Sequence, residues 1–361
     1  MSLESRIRAR IAGHGPMPVS EYMALCLLDP TEGYYTRREP FGAGGDFVTA
    51  PEVSQMFGEL VGVWLWLAWE AAGKPDDAVL VEVGPGRGTL MKDALRALAA
   101  LDREWAARLR ACLVEASPRL RAVQRETLGG RPVEWFDRIE DLPKAPLLLV
   151  ANEFMDALPI RQYVKTADGF RERVVGLDER NELCFLAGLS EPDPAWLPPD
   201  AADAALGAIV EAAPAREAAM AALCERIGAT GGAALLIDYG HLRSGLGDTL
   251  QAVRAHRFAP VLEAPGHADL TSHVDFASLA AVARSAGLST FAATQGEFLL
   301  GLGLLERAGA IGRGKDADTQ ARIRGEAERL AGPDAMGSLF KVLGVARPGV
   351  ALPALAPLRS A

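Results

Sequence analysis

The sequence predicts an α/β protein built on a Rossmann-like, doubly wound, mainly parallel sheet. Three observations predict it. Short apolar runs at 79–83, 111–115, 132–136 and 146–151 alternate with segments of helical period. The first run, V-L-V-E-V, leads directly into G-P-G-R-G and then into a helix-forming stretch. Polar residues follow several of the runs, where a doubly wound sheet opens its ligand crevice.

The first elements are helical, at 2–12 and 19–28, with Ser20 before Glu21 as a cap region. Next comes the turn-rich D-P-T-E-G-Y-Y-T. The stretch 41–58, F-G-A-G-G-D-F-V-T-A-P-E-V-S-Q-M-F-G, reads by composition as a surface loop entering a helix, with Pro51 at its first position. Helix 53–72 is apolar nearly all round, so it is buried or packs on two neighbours.

The four central strands follow, with Glu115 after the second, Asp137 after the third and Asn152, Glu153 and Asp156 after the fourth. Residues 161–187 break the rhythm and read as inserted antiparallel hairpins turning at Asp168–Gly169 and Glu179–Asn181. A proline-rich loop at 191–203, a helix at 214–228 and a buried strand at 231–241 come next. A polar stretch fills 244–273. Helix 275–286, strand 288–293, helices 297–309 and 311–330 and a closing strand at 338–343 complete the pattern, and the tail from 346 reads as poorly ordered. The expected organisation is N-terminal helices and a loop over 1–72, a main domain over 73–345 with an insertion at about 160–230, and the tail 346–361.

Composition narrows the function. The chain has 361 residues, 49% hydrophobic and 24% charged, which is ordinary for a globular protein. A net charge of −9 argues against a general nucleic-acid binder. The four cysteines are scattered without a C-x-x-C pair, which suits reduced thiols better than a disulfide frame or zinc site. No metal site is expected, since the histidines at 267 and 273 lack a helix to align them. There is no apolar run of about 18 residues, so no membrane span is expected. The opening M-S-L-E-S-R-I-R-A-R-I is too charged for a signal peptide, which points to a cytoplasmic protein.

Glycine spacing bears on the ligand. The dinucleotide fingerprint is G-x-G-x-x-G with an acid about 20 residues on. Here the pattern is E-x-G-x-G-x-G, formed by Glu82, Gly84, Gly86 and Gly88, and Glu115 lies farther on than that spacing. A nicotinamide oxidoreductase is therefore the less favoured reading. By position Glu115 either meets ribose hydroxyls or caps the helix at Pro118, a task Ser117 could equally perform.

The glycine pattern resembles the first motif of class I S-adenosylmethionine (SAM) methyltransferases. Six further stretches extend the likeness: G-D-F-V-T-A-P-E-V-S-Q-M-F-G-E at 45–59, N-E-F-M-D-A-L-P at 152–159, I-D-Y-G-H at 237–241, P-G-H-A-D-L-T-S-H-V-D-F at 265–276, Q-G-E-F-L-L-G-L-G at 295–303 and M-G-S-L-F-K-V-L at 336–343. Together they resemble the MidA-like group, related to the mitochondrial protein arginine methyltransferase that assists assembly of respiratory complex I. The resemblance implies SAM binding by Glu82, Gly84, Gly86 and Gly88, with Glu115 on the ribose and Asp137 near adenine; Asn152, by its position after the fourth strand, is also expected beside the cofactor. It turns the 45–59 segment from a loop into a lid. It also implies a protein substrate, with a respiratory complex I subunit as one candidate. A SAM-binding docking factor with little catalysis is the alternative.

Arginine is a poor nucleophile because its guanidinium stays protonated, with a pKa above about 12. Carboxylates that grip it can bias its charge toward one nitrogen and free the other. Glu153 is the first candidate for that role, with Asp156 and Glu52 as further ones. Asp156 reads equally well as a turn or cap residue, and Asn152 as a turn residue bonding backbone.

Overall fold

The computed structural model describes residues 1–37 and 49–358, which pack as two compact units. One unit comprises the described residues of Val48–Met155, Ala219–Leu242 and Val274–Ala361. Its sheet contains β1 (Val79–Val83), β2 (Arg110–Val114), β3 (Val133–Phe136), β4 (Leu147–Asn152), β5 (Gly232–His241), β6 (Ser289–Thr294) and β7 (Phe340–Ala346). The spatial order is β6-β7-β5-β4-β1-β2-β3. β1 to β5 pair in parallel, and β7 runs antiparallel between β5 and β6.

This order positions the site. The chain steps outward from β1 to β2 and β3, then returns to lay β4 on the other side of β1. That reversal is a topological switch point, and a ligand crevice opens beyond the carboxyl ends of β1 and β4. Every residue of β1 and β4 is buried, which is why both read as nearly unbroken apolar runs.

Helix α1 (Ala50–Val53) and helix α2 (Gln55–Ala71) precede β1, and α3 (Thr89–Leu101) follows it. Helix α2 is apolar nearly all round, and it is buried in one cluster with α3 and the sheet. Met56, Phe57, Leu60, Val61 and Trp64 share that cluster with Leu90, Met91, Ala94, Leu80 and Leu148. Two glycines allow the close helix approach: a Cβ on Gly58 would lie 2.7 Å from Asp93 Cβ, and one on Gly62 2.9 Å from Ala94 Cα. Fully burying a side chain of the size of Leu60 contributes roughly 1.5–3 kcal/mol.

The other unit comprises the described residues of Met1–Phe47, Asp156–Ala218 and Arg243–His273. The expected hairpins appear as Arg161–Thr166, Gly169–Leu177 and Leu183–Ala187, joined by Ile209–Ala212. Met17–Pro18 adds a short antiparallel strand, pairing Met17 with Val175. Helices Leu3–His14 and Val19–Leu28 bury Leu3, Ile7, Ile11, Tyr22, Met23 and Leu27 in a cluster that includes Val175, Leu250 and Leu270.

The unit boundaries therefore differ from the expected ones. Residues 1–37 pack with the inserted hairpins, whereas α1 and α2 pack with β1 and α3. The polar stretch 244–273 contains three short strands, Gln251–Arg254, Arg257–Ala259 and Asp269–Thr271, too short to show an alternation. The expected helix 297–309 is two helices, Gln295–Gly301 and Leu304–Gly312, because Gly303 turns left-handed at φ +91°. The tail is bound through residue 358: Leu352 is buried, and Ala356–Pro357 pairs with β6.

Candidate active site

The turn after β1 is built by left-handed glycines. Gly84, Gly86 and Gly88 have φ of +66°, +51° and +81°, and Gly88 is the N-cap of α3. The Gly84 N–H donates to Val114 O at 3.1 Å, and the Gly88 N–H to Pro85 O at 2.7 Å. A Cβ on Gly84 would stand 2.9 Å from Cδ2 of Phe154. The turn after β1 thus packs against the turn after β4.

Glu82 is the one acid inside β1. Burial pushes its carboxyl up to about 8, opposed by one backbone bond from Met91. Its Oε2 is buried and has no hydrogen-bond partner. Asn152 Oδ1, at the end of β4, is in the same condition. Buried acceptors of this kind are costly unless a donor reaches them.

Glu115 follows β2 and is held by both oxygens. Oε1 accepts the Ser117 N–H at 2.7 Å, and Oε2 accepts Gln124 Nε2 at 3.3 Å. Burial raises its pKa, and these bonds oppose the rise. Ser117 caps the helix α4 (Pro118–Thr127), so Glu115 is not its cap. Arg121 ties the strand ends together, donating to Glu115 O at 2.6 Å and to Asp137 Oδ1 at 2.7 Å. The Asp137 side chain is 71% exposed.

The turn after β4 carries Glu153 in a left-handed conformation, at φ +49°. Its N–H donates to Ile237 O at 2.9 Å. Its Oε1 accepts the Ala50 N–H at 3.2 Å and Asn152 Nδ2 at 3.0 Å. Asp238 braces the same turn, its Oδ2 accepting the Met155 N–H at 3.1 Å. Glu52 accepts the Thr89 hydroxyl at 2.5 Å, just past the glycine turn. The segment 49–54 is thereby joined to both turns, through Ala50 to Glu153 and through Glu52 to Thr89. Residues 45–48 of the expected lid lie outside the described residues.

Asp156 belongs to the other unit. It is buried, and its carbonyl accepts Arg216 Nη2 at 3.1 Å and the Ser272 N–H at 3.3 Å. Two contributors went unnoticed in the sequence: Gln124 and Phe154. Gln124 left one signal, an uncharged amide four residues after Leu120 on the buried face of a charged helix.

A model of the S-adenosyl-L-methionine-dependent methyltransferases matches residues 60–294 of the chain. The chain belongs to this family. Relatives cover nearly all of it. The protein arginine methyltransferase NDUFAF7, mitochondrial, of Danio rerio is 36% identical over 95% of this chain and 86% of its own length. The Homo sapiens protein of that name is 35% identical over 92% of this chain and 80% of its own. A Burkholderia thailandensis protein crystallised with S-adenosyl-homocysteine superposes with a TM-score of 0.84 at 32% identity, covering 97% of this chain and 92% of that one.

This methyltransferase therefore uses SAM, and its fold is the class I fold the motifs resemble. The residues of the crevice fit the cofactor. The glycine turn leaves room for a close backbone approach, and the unpartnered oxygens of Glu82 and Asn152 suit an ammonium donor. The glycine spacing and the family match together set aside the nicotinamide reading. Among the described residues no helix is long and apolar enough to cross a membrane.

Proposed function

We propose that this methyltransferase modifies an arginine side chain of a protein, with a respiratory complex I subunit as the substrate. The observation that carries the reading is Glu153: a left-handed residue beside the glycine turn whose carboxylate accepts the Ala50 N–H and Asn152 Nδ2. Relatives named for arginine methylation at 35–36% identity support the substrate class. The complex I assignment rests on the seven ordered motifs that resemble the MidA-like group.

In this reading Glu82 and Asn152 hold the ammonium of SAM, Glu115 the ribose hydroxyls and Asp137 the adenine edge. When bound, the cofactor supplies a methyl group activated by its sulfonium. The remaining work is alignment and charge placement. The Glu153 carboxylate grips the substrate guanidinium, draws its positive charge toward one nitrogen and receives the proton released as the other is methylated. Glu52 is the further acid of the substrate side, and segment 45–59 acts as the lid.

A cytoplasmic location is part of the proposal. A fluorescent fusion that collects in an organelle or at a membrane would overturn it.

The test of activity is incubation of the enzyme with methyl-labelled SAM and cell extract, followed by mass spectrometry. Label on arginine of a complex I subunit is the expected result. Label confined to lysine or to small molecules refutes the arginine claim. No label at all favours a docking factor.

A further inference from the structure

We propose that Gln124 is a positioning residue for the cofactor, locking the glycine turn, the ribose acid and β3 into one geometry. The proposal rests on the reading that the glycine turn and Glu115 bind SAM.

A glutamine amide offers two N–H donors and one acceptor oxygen. In Gln124, which is fully buried, both ends of the amide are engaged. Nε2 donates to Gly86 O at 2.9 Å and to Glu115 Oε2 at 3.3 Å, and Oε1 accepts Trp135 Nε1 at 2.8 Å. These partners come from three places: the turn after β1, the residue after β2, and β3 itself. The far end of the chain of contacts is also anchored, because the Arg125 guanidinium lies 4.6 Å from the Trp135 ring centroid.

The consequence is rotational. Glu115 Oε1 is held by the Ser117 N–H, and Gln124 holds the other oxygen, so the carboxylate plane is fixed before a ligand arrives. The same amide restrains the Gly86 carbonyl in the middle of the turn. Pre-set groups of this kind spare the ligand the entropy of ordering them. A methionine at 124 would fill similar space and offer none of the three bonds.

The test uses the full-length enzyme and S-adenosyl-homocysteine titrated by calorimetry, with adenosine as a second probe and Tm as the measure of folding. A tenfold change in affinity is about 1.4 kcal/mol, the net scale of one to two hydrogen bonds. Gln124→Met is expected to weaken S-adenosyl-homocysteine about tenfold and adenosine similarly, with Tm lowered by only a few degrees. A folded variant that binds both within twofold of wild type overturns the proposal, as does a fall in Tm with affinity unchanged. Should Gln124→Met not fold, Trp135→Phe decides: it removes the bond to Oε1 while keeping an aromatic ring beside Arg125, and about threefold weaker binding supports the proposal while wild-type affinity overturns it. Wild-type protein that binds no S-adenosyl-homocysteine would instead overturn the placement of the cofactor at the glycine turn.

Discussion

The turns after β1 and β4 are both left-handed and lie side by side, yet they reach that state by opposite means. After β1 the backbone turns at Gly84, Gly86 and Gly88, where a positive φ carries no side-chain penalty. After β4 it turns at Glu153, where a side chain is present and the conformation costs of order 1–3 kcal/mol. The acids differ in the same sense. Glu82 is desolvated and keeps one oxygen without a partner, whereas the Glu153 carboxylate accepts two N–H donors. The first turn is shaped for something to come close; the second is strained to present one functional group. In the proposed reading, that contrast separates a cofactor side from a substrate side.

The sharpest way to break the contrast is Glu153→Gln. Loss of a charge that acts on the reacting group lowers kcat by about 100–1000-fold. Single-turnover methylation should show that loss with SAM affinity little changed; a defect in SAM binding alone would contradict the division.

Gly84→Val attacks the other turn. It meets both the +66° backbone and the Phe154 ring, so SAM binding should weaken by about 100-fold, with strain of about 1–3 kcal/mol visible as a lower Tm. Calorimetry that finds normal binding would place the cofactor elsewhere.

Glu82 adds a pH signature. Its folded value, about 8, lies above its ordinary 4.5. Its contribution to stability is therefore complete below about 4.5, declines as pH rises, and is gone above about 8. Binding of an ammonium favours the ionised carboxylate, so SAM affinity should climb toward pH 8, by up to about tenfold per pH unit, with a proton released on binding. Glu82→Gln should flatten both trends, and a wild-type affinity independent of pH would show that no ammonium meets this acid.

Smaller effects test the edges. Thr89→Val removes the 2.5 Å bond to Glu52, worth about 1 kcal/mol, and should raise KM about threefold to fivefold without abolishing turnover. Asp137→Ala should change SAM affinity by no more than about twofold, since its ion pair with Arg121 is exposed. A larger loss in the titration would promote Asp137 to a principal cofactor contact.

Much of the proposed cofactor side was legible in the sequence because its signals are local. An apolar run, three glycines and a helix are contiguous, and the acids at 115 and 137 fall where strand ends must fall. The lone Glu82 inside an apolar strand was equally visible. The substrate side was legible only as a list of acids. Glu153 is held by bonds to Ala50 and Ile237, both far away in sequence. The pairing of Met17 with Val175 joins residues whose neighbours give no hint of each other, which is why the first helices were assigned away from the hairpins. Gln124 was missed for a related reason: its three partners become neighbours only when β1, β2 and β3 lie side by side.

The most direct test of the account is S-adenosyl-homocysteine titrated calorimetrically into wild type, Gly84→Val and Glu153→Gln. Binding should be weakened about 100-fold in Gly84→Val and kept within about threefold in Glu153→Gln, if the two turns serve different molecules as proposed. Binding that survives in Gly84→Val and disappears in Glu153→Gln would contradict it.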